Sequence, residues 1–295
     1  MGKLVRATNK DYSIRMFAID STDMVEKARE THDTTPVVTA ALGRALTAAS
    51  MMGVMMKGDN DKMTLVIKGD GELKSITCTA NSKGTVKAYP SNPYVDLPVR
   101  ESDGKLDVSG AIGTEGKLTV IRDLGLKDPY IGQTDLVSGE IAEDLAAYYV
   151  YSEQQPSAVA LGVLVDTDRS VKSAGGFIIQ LMPNVPEEQI DKLETNLAKI
   201  TSVSHFIDEG HTPEEMVEIL LDGMEPVIND VLEVKFECDC SRERMEKALI
   251  SIGLKDLEEI LHEDKQTEIQ CHFCNTKYKF EEQDLKNLIE SVKNN

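Results

Sequence analysis

The sequence predicts an α+β protein: a mixed α/β N-terminal domain, a helical linker and a small C-terminal four-cysteine domain. Three observations carry this. Gly-punctuated strand signals cluster within the first 180 residues, with helical patterns on either side rather than alternating strand for helix, which argues against a doubly wound parallel sheet. Charge then changes in kind: residues 181–237 hold 3 Lys+Arg against 14 Asp+Glu, whereas residues 1–180 hold 20 against 24 and residues 238–295 hold 9 against 13. Finally, four of the five cysteines fall in two tight pairs, Cys238/Cys240 in "ECDCSRER" and Cys271/Cys274 in "CHFC". The boundaries expected are 1–182 for the α/β core, 183–230 for a metastable acidic helical linker and 231–295 for the cysteine domain.

In chain order, "KLVRATN" and "YSIRMFAID" read as strands. "STDMVEKARETH" reads as a helix, with Ser21 as N-cap ahead of an acidic first turn. "TPVVTAALGRALTAASMMGVMMK" places Pro36 at N1 and is apolar or small nearly all round, so it is expected as a helix buried in a core. "KMTLVIKGDG", "ITCTANSKGTVKAYP", "LTVIRDLG" and "SAVALGVLVDTD" give strands, "GEIAEDLAAYYVYSEQ" a helix and "SAGGFIIQLMP" a closing strand. In the acidic stretch, Ile190, Leu193, Leu197 and Ile200 form one helical stripe, and Thr212, Pro213 and Glu215 form a capping box with Pro at N1. Such short, highly charged helices are marginal alone and need a surface to dock on. Beyond them, "EVKFECDC" reads as a short strand, "SRERMEKALISIG" as a helix between Ser241 and Gly253, and "LKDLEEILHED" as another helix. "TEIQCHFCNTKYKF" reads as a hairpin and "EEQDLKNLIESV" as a final helix.

Length and composition bound the function. The chain has 295 residues, 41% of them hydrophobic, enough for two domains with real cores. No uncharged apolar run long enough for a membrane span and no secretory signal pattern is read, so a cytoplasmic protein is expected. There thiols stay reduced, and paired cysteines read as metal ligands or redox groups. A net charge of −19 argues against a nucleic-acid partner, since it repels phosphate, and Trp is absent.

Two close cysteine pairs separated by a small insert are the pattern of a four-thiolate zinc site. Each pair sits in a turn whose backbone N–H groups face the sulfurs, and two turns complete a tetrahedron. A region of this size has too little core to stand alone, so a metal staple is expected. The first pair departs from the usual C-x2-C knuckle. A Cys238–Cys240 disulfide would close a ring of about 11 atoms against about 14 for C-x2-C, and such strained bonds are labile and reversible. The spacing therefore admits both a purely structural staple and a switch, in which oxidation removes the metal and unfolds the region.

"FECDCSRER" with "CHFCNTKYKF" resembles the redox-regulated holdase chaperones, the 33-kDa heat-shock chaperonins of bacteria. "ALGRALTA", "SNP", "GEIAEDLAAYY", "SEQQPSAVALGVLV" and "AGGFIIQLMP" extend the resemblance over almost the whole chain. The resemblance implies a non-enzymatic, ATP-independent chaperone that binds unfolding client proteins. It further implies zinc on Cys238, Cys240, Cys271 and Cys274 in an inactive reduced state. Oxidation would form Cys238–Cys240 and Cys271–Cys274, release zinc and destabilise the linker; active forms would be homodimers, built on residues 1–182.

Other residues carry plainer readings. Cys78 in a strand pattern reads as a buried inert thiol, and Met51, Met52, Met55 and Met56 read as core rather than client-binding surface. His272 reads as a bystander beside four thiols. The carboxylates of "GEIAEDL" read as a solvated helix face, and no phosphate loop, G-x-S-x-G or catalytic triad is present. Two competing classes remain: a zinc ribbon binding nucleic acid or a protein, and a thiol–disulfide oxidoreductase. The latter needs an attacking thiol at a helix N-terminus, whereas this C-x2-C is expected in a hairpin.

Overall fold

The computed structural model describes residues 2–293. It is mixed α+β, as the strand and helix signals predict, and the chain divides between Glu237 and Cys238 into two compact units.

The first unit opens with an antiparallel hairpin of β1 (Gly2–Asn9) and β2 (Ile14–Asp20), whose turn is closed by Asn9 Oδ1 accepting from the Ile14 backbone N–H at 2.9 Å. α1 (Thr22–His32) and α2 (Pro36–Val54) follow, then β3 (Lys62–Gly69), β4 (Ser75–Asn81) and β5 (Thr85–Pro90). After α3 (Val108–Ile112) come β6 (Gly116–Asp123) and β7 (Tyr130–Asp135), α4 (Ala142–Tyr151), β8 (Ser157–Val165) and β9 (Val171–Leu181). Three helices, α5 (Glu187–Leu197), α6 (Val203–Asp208) and α7 (Pro213–Leu220), lead into β10 (Pro226–Phe236).

All ten strands form one sheet in the order β7-β6-β3-β4-β5-β10-β1-β2-β9-β8. β10 joins its halves: it runs antiparallel to β1 over its length and parallel to β5 only at Lys235 and Phe236. The expected short strand in "EVKFECDC" is thus the end of an 11-residue central strand. Its length escapes local pattern reading because Val227, Ile228 and Val231 are exposed, so no in-out alternation marks it.

Two hydrophobic cores lie in this unit. The larger surrounds α2, which packs against β4, β5, β8 and β9. α2 is long and apolar enough to cross a membrane by length and composition, with a mean hydropathy of 1.4, yet 94% of that window is buried within the fold. Gly43 makes the packing possible: a Cβ there would lie 2.6 Å from Val25 Cγ1 and 2.8 Å from Val163 Cγ2. Ser21 stands at the N-cap position of α1 but does not cap it; its hydroxyl bonds Thr47 Oγ1 at 2.7 Å, a buried partner that only the α1–α2 packing supplies.

The second core lies on the opposite sheet face. Strand alternation sends Ile14, Met16 and Ala18 of β2 to this side and Phe17 and Ile19 to the other. Leu193, Val203, Ile207, Met216, Val217 and Leu220 from α5, α6 and α7 cover it. The acidic segment is therefore a set of amphipathic helices docked on a sheet. The capping box of α7 forms as expected, with Thr212 Oγ1 accepting from Glu215 N at 3.3 Å and Glu215 Oε2 accepting from Thr212 N at 2.7 Å.

The second unit holds α8 (Arg242–Ser251), α9 (Leu254–Glu263), a hairpin of β11 (Thr267–Gln270) and β12 (Lys277–Phe280), and α10 (Glu282–Lys293). Ser241 caps α8, accepting from Arg244 N at 3.3 Å, and Gly253 takes a positive φ of 100° between α8 and α9, where L side chains are strained. Its core is only Leu249, Leu257, Phe280, Leu285, Leu288 and Ile289, little for an independent fold.

Candidate metal and redox centre

Cys238 and Cys240 lie in the extended segment between β10 and α8, two to four residues past the last paired residue of the central strand. Cys271 and Cys274 lie in the turn of the β11–β12 hairpin, where Cys271 N donates to Thr276 O at 2.9 Å and Asn275 N to Cys271 O at 2.8 Å. That turn demands a left-handed residue, and Asn275 supplies it with φ 58°.

All four sulfurs lie within 4.8 Å of one another. Contacts run across the pairs as well as within them: Cys240 lies 3.3 Å from Cys274 and Cys238 lies 3.7 Å from Cys271. A tetrahedron with metal–sulfur bonds of about 2.3 Å has sulfur–sulfur edges of about 3.8 Å, so the four thiols fit a zinc-sized ion. The knuckle amides fit it too. The N–H of Cys240 faces the Cys238 sulfur, those of Phe273 and Cys274 face Cys271, and that of Thr276 faces Cys274. These donors stabilise thiolate character and hold the sulfurs in place.

The thiols differ in acidity. Burial pushes Cys238 and Cys271 up from the ordinary thiol value, and for Cys238 hydrogen bonds to the other three sulfurs add to it. Burial also acts on Cys274, but hydrogen bonds from the Thr276 hydroxyl and backbone and from Cys240 and Cys238 outweigh it, bringing Cys274 down to about 7. Cys274 is thereby favoured as a thiolate relative to Cys238 and Cys271.

Two supporting side chains were invisible to motif reading. The Tyr278 hydroxyl bonds Cys240 Sγ at 3.1 Å and is raised to about 12, first by that bond and then by burial; the Thr276 hydroxyl lies 3.2 Å from Cys274 Sγ. Their signal in the sequence is position only: both stand just past the second pair, where the strand returns along the site. Arg244 steadies the first pair, donating to the Asp239 carbonyl at 3.0 Å and pairing with its carboxylate at 2.7 Å. His272 is exposed and outside the sulfur cluster. Cys78 is fully buried in β4 and burial raises it strongly, so it is the buried thiol expected.

The model of the Hsp33 protein family matches residues 2–281 of this chain, from the first strand through the second cysteine pair. The chain belongs to the Hsp33 family. Among its relatives, the 33 kDa chaperonin of Clostridium perfringens (strain ATCC 13124) is 54% identical over 288 residues, covering 98% of this chain and 90% of that one. The 33 kDa chaperonin of Clostridioides difficile (strain 630) is 50% identical over 289 residues, covering 98% and 99%. A crystal structure of the 33 kDa chaperonin from Thermotoga maritima matches with a TM-score of 0.90 at 38% identity, covering 99% of each chain. Hsp33 proteins are chaperones, not enzymes, and the four-cysteine cluster fits a redox-regulated member of such a family.

Proposed function

We propose that this Hsp33-family chain is an ATP-independent holdase controlled by its four cysteines. The observation that supports this most directly is the gathering of all four sulfurs within 4.8 Å of one another. In the reduced protein Cys238, Cys240, Cys271 and Cys274 hold zinc. When bound, the ion supplies the cross-link that a six-residue core lacks. Under peroxide, a cysteine thiolate attacks the O–O bond to give a sulfenic acid and hydroxide, and its neighbour displaces water to close a disulfide. Two such reactions form Cys238–Cys240 and Cys271–Cys274, each consuming one peroxide and two thiols and yielding two waters. The chain thereby gives up its metal donors, and the second unit unfolds.

Residues 183–230 form the responsive element. Once α5, α6 and α7 undock, they bare the sheet face of Val5, Ile14, Met16, Phe177 and Ile179 as well as their own apolar stripes. Apolar surface of that extent binds unfolding clients, and the surrounding carboxylates keep the complexes dispersed. Residues 1–182 serve as the dimerisation domain of the active form, in the cytoplasm.

The test is light scattering of a chemically unfolded client diluted without ATP into reduced, zinc-loaded protein or into protein treated with peroxide at a mildly unfolding temperature. Zinc released is followed in the same samples. Suppression of aggregation only after oxidation, with zinc released, is expected. Retained zinc with no suppression by either form would reduce the site to a structural staple.

A further inference from the structure

At the C-terminal end of α2, residues of β1, β2, β6, β9 and α4 border open space. A cavity of ≈ 340 Å³ is lined by Arg15, Met52, Met55, Met56, Tyr149 and neighbouring residues. A second, of ≈ 490 Å³, shares Arg15, Met55, Met56 and Lys57 with it and adds Arg6 and Thr8. They adjoin through these shared residues as two parts of a cleft, each of the size that small ligands occupy.

Its polar groups are unevenly satisfied. Arg6 pairs with Asp230, and Arg122 pairs with Glu153 at 3.1 Å while lying over the Tyr130 ring. Asp61 is engaged by Gly58 N at 2.8 Å. Arg15, by contrast, is half-buried and meets only a neutral acceptor, Gln180 Oε1, at 2.8 Å from Nε; no carboxylate pairs with it among the described residues. Burial disfavours its charge, Tyr149 acts in the opposite direction, and the Arg122 charge adds a smaller repulsion. The hydroxyl of Tyr149, a residue only 3% exposed, finds a thioether, Met55 Sδ at 3.5 Å, a weak acceptor. Thr8 Oγ1 is buried with no hydrogen-bond partner among the described residues. Three groups lining one cleft thus lack strong partners, beside three methionine side chains that adapt readily to an apolar guest.

We propose that this cleft binds a small amphipathic anion, a single-chain carboxylate or phosphate whose headgroup Arg15 clasps and whose tail lies along Met52, Met55 and Met56. The planar guanidinium fork suits a carboxylate or phosphate, and an anion offsets the repulsion between Arg15 and Arg122. A net charge of −19 disfavours a polyanion, whereas a single headgroup carries little repulsion.

The test uses the reduced full-length chain with decanoate or dodecyl phosphate below micelle-forming concentrations. Affinity is read by calorimetry, and the site by NMR of 13C-methyl methionine, which reports on all 12 methionines. One anion per chain is expected, with shifts confined to Met52, Met55 and Met56. Decanol and acetate should each bind about tenfold or more weakly, as should R15Q with either amphiphile. M55E, which places a carboxylate in the half-exposed mouth, should also lose binding, so a folding defect in R15Q leaves the test intact. Equal binding of decanol, undiminished binding in both variants or shifts at other methionines overturns the proposal. So does tighter binding at the same methionines of an apolar peptide ending in a free carboxylate, which would make the guest a polypeptide.

Discussion

Asp144 shows how much one side chain can hold. It sits in "GEIAEDL", whose carboxylates read by spacing as a solvated face, yet it is fully buried. Its Oδ1 accepts from the backbone N–H groups of Val137, Ser138 and Gly139 at 2.7, 3.0 and 3.3 Å, and its Oδ2 accepts from Ile141 at 2.9 Å. It therefore organises the loop before α4, where Ile141 takes the unusual φ of 71°. D144A leaves those donors without their shared acceptor and should cost about 3–5 kcal/mol, read as a lower urea midpoint. Glu26 gives the pH-dependent case. A bidentate hydrogen bond from Arg29, at 2.8 and 2.6 Å, with the Val171 N–H at 2.8 Å, holds its pKa below the ordinary 4.5. Because the folded value is depressed, this stability is present above 4.5 and lost as pH falls through the folded value. E26Q should therefore be less stable than the parent at pH 7, and the gap should close in acid; urea titrations across that range check it.

At the scale of elements, the acidic helices depend on their docking surface. Their apolar stripes were legible from periodicity: Leu193 and Ile200 are buried, Leu197 packs half-buried against them, and Ile190 is half-buried. What they dock on was not legible, since the face of Ile14, Met16 and Phe177 comes from strands distant in sequence. Leu220 of α7 is fully buried there, so L220A should cost about 3 kcal/mol and raise hydrogen exchange across residues 187–221. T212A, which removes the cap on the same helix, should cost about 1 kcal/mol. If linker undocking exposes client-binding surface, L220A should also suppress client aggregation partly without oxidant; light scattering of the reduced variant reads this directly.

For the molecule as a whole, the division at Glu237/Cys238 separates a unit with two extensive cores from one with a small core and four gathered thiols. Stability should divide the same way. Zinc-loaded protein treated with a strong chelator should lose the native signals of α8, α9, α10 and the β11–β12 hairpin while the sheet of the first unit persists, giving separate calorimetric transitions. C271S should do the same without chelator. A single transition that is unchanged by chelation would show that the second unit stands without metal.

The sequence by itself determined the local features: the hairpin carrying Cys271 and Cys274, the caps at Ser241 and Thr212, the apolar helix from Pro36 and the stripes of the acidic helices. Each is encoded within a window of a few residues, by side-chain spacing or by one residue's backbone preference. It also pointed to the candidate site, because four thiols in two tight pairs are the pattern of a metal-binding cluster. Only the tertiary structure decided that β10 joins the two half-sheets, that Ser21 bonds Thr47 instead of capping its helix, and that Asp144 is buried. It alone brought Tyr278 onto Cys240 and left Arg15 without a carboxylate partner among the described residues. These depend on which distant segments meet, and burial and pairing across the fold are set by the packing of all the elements together rather than by any one of them.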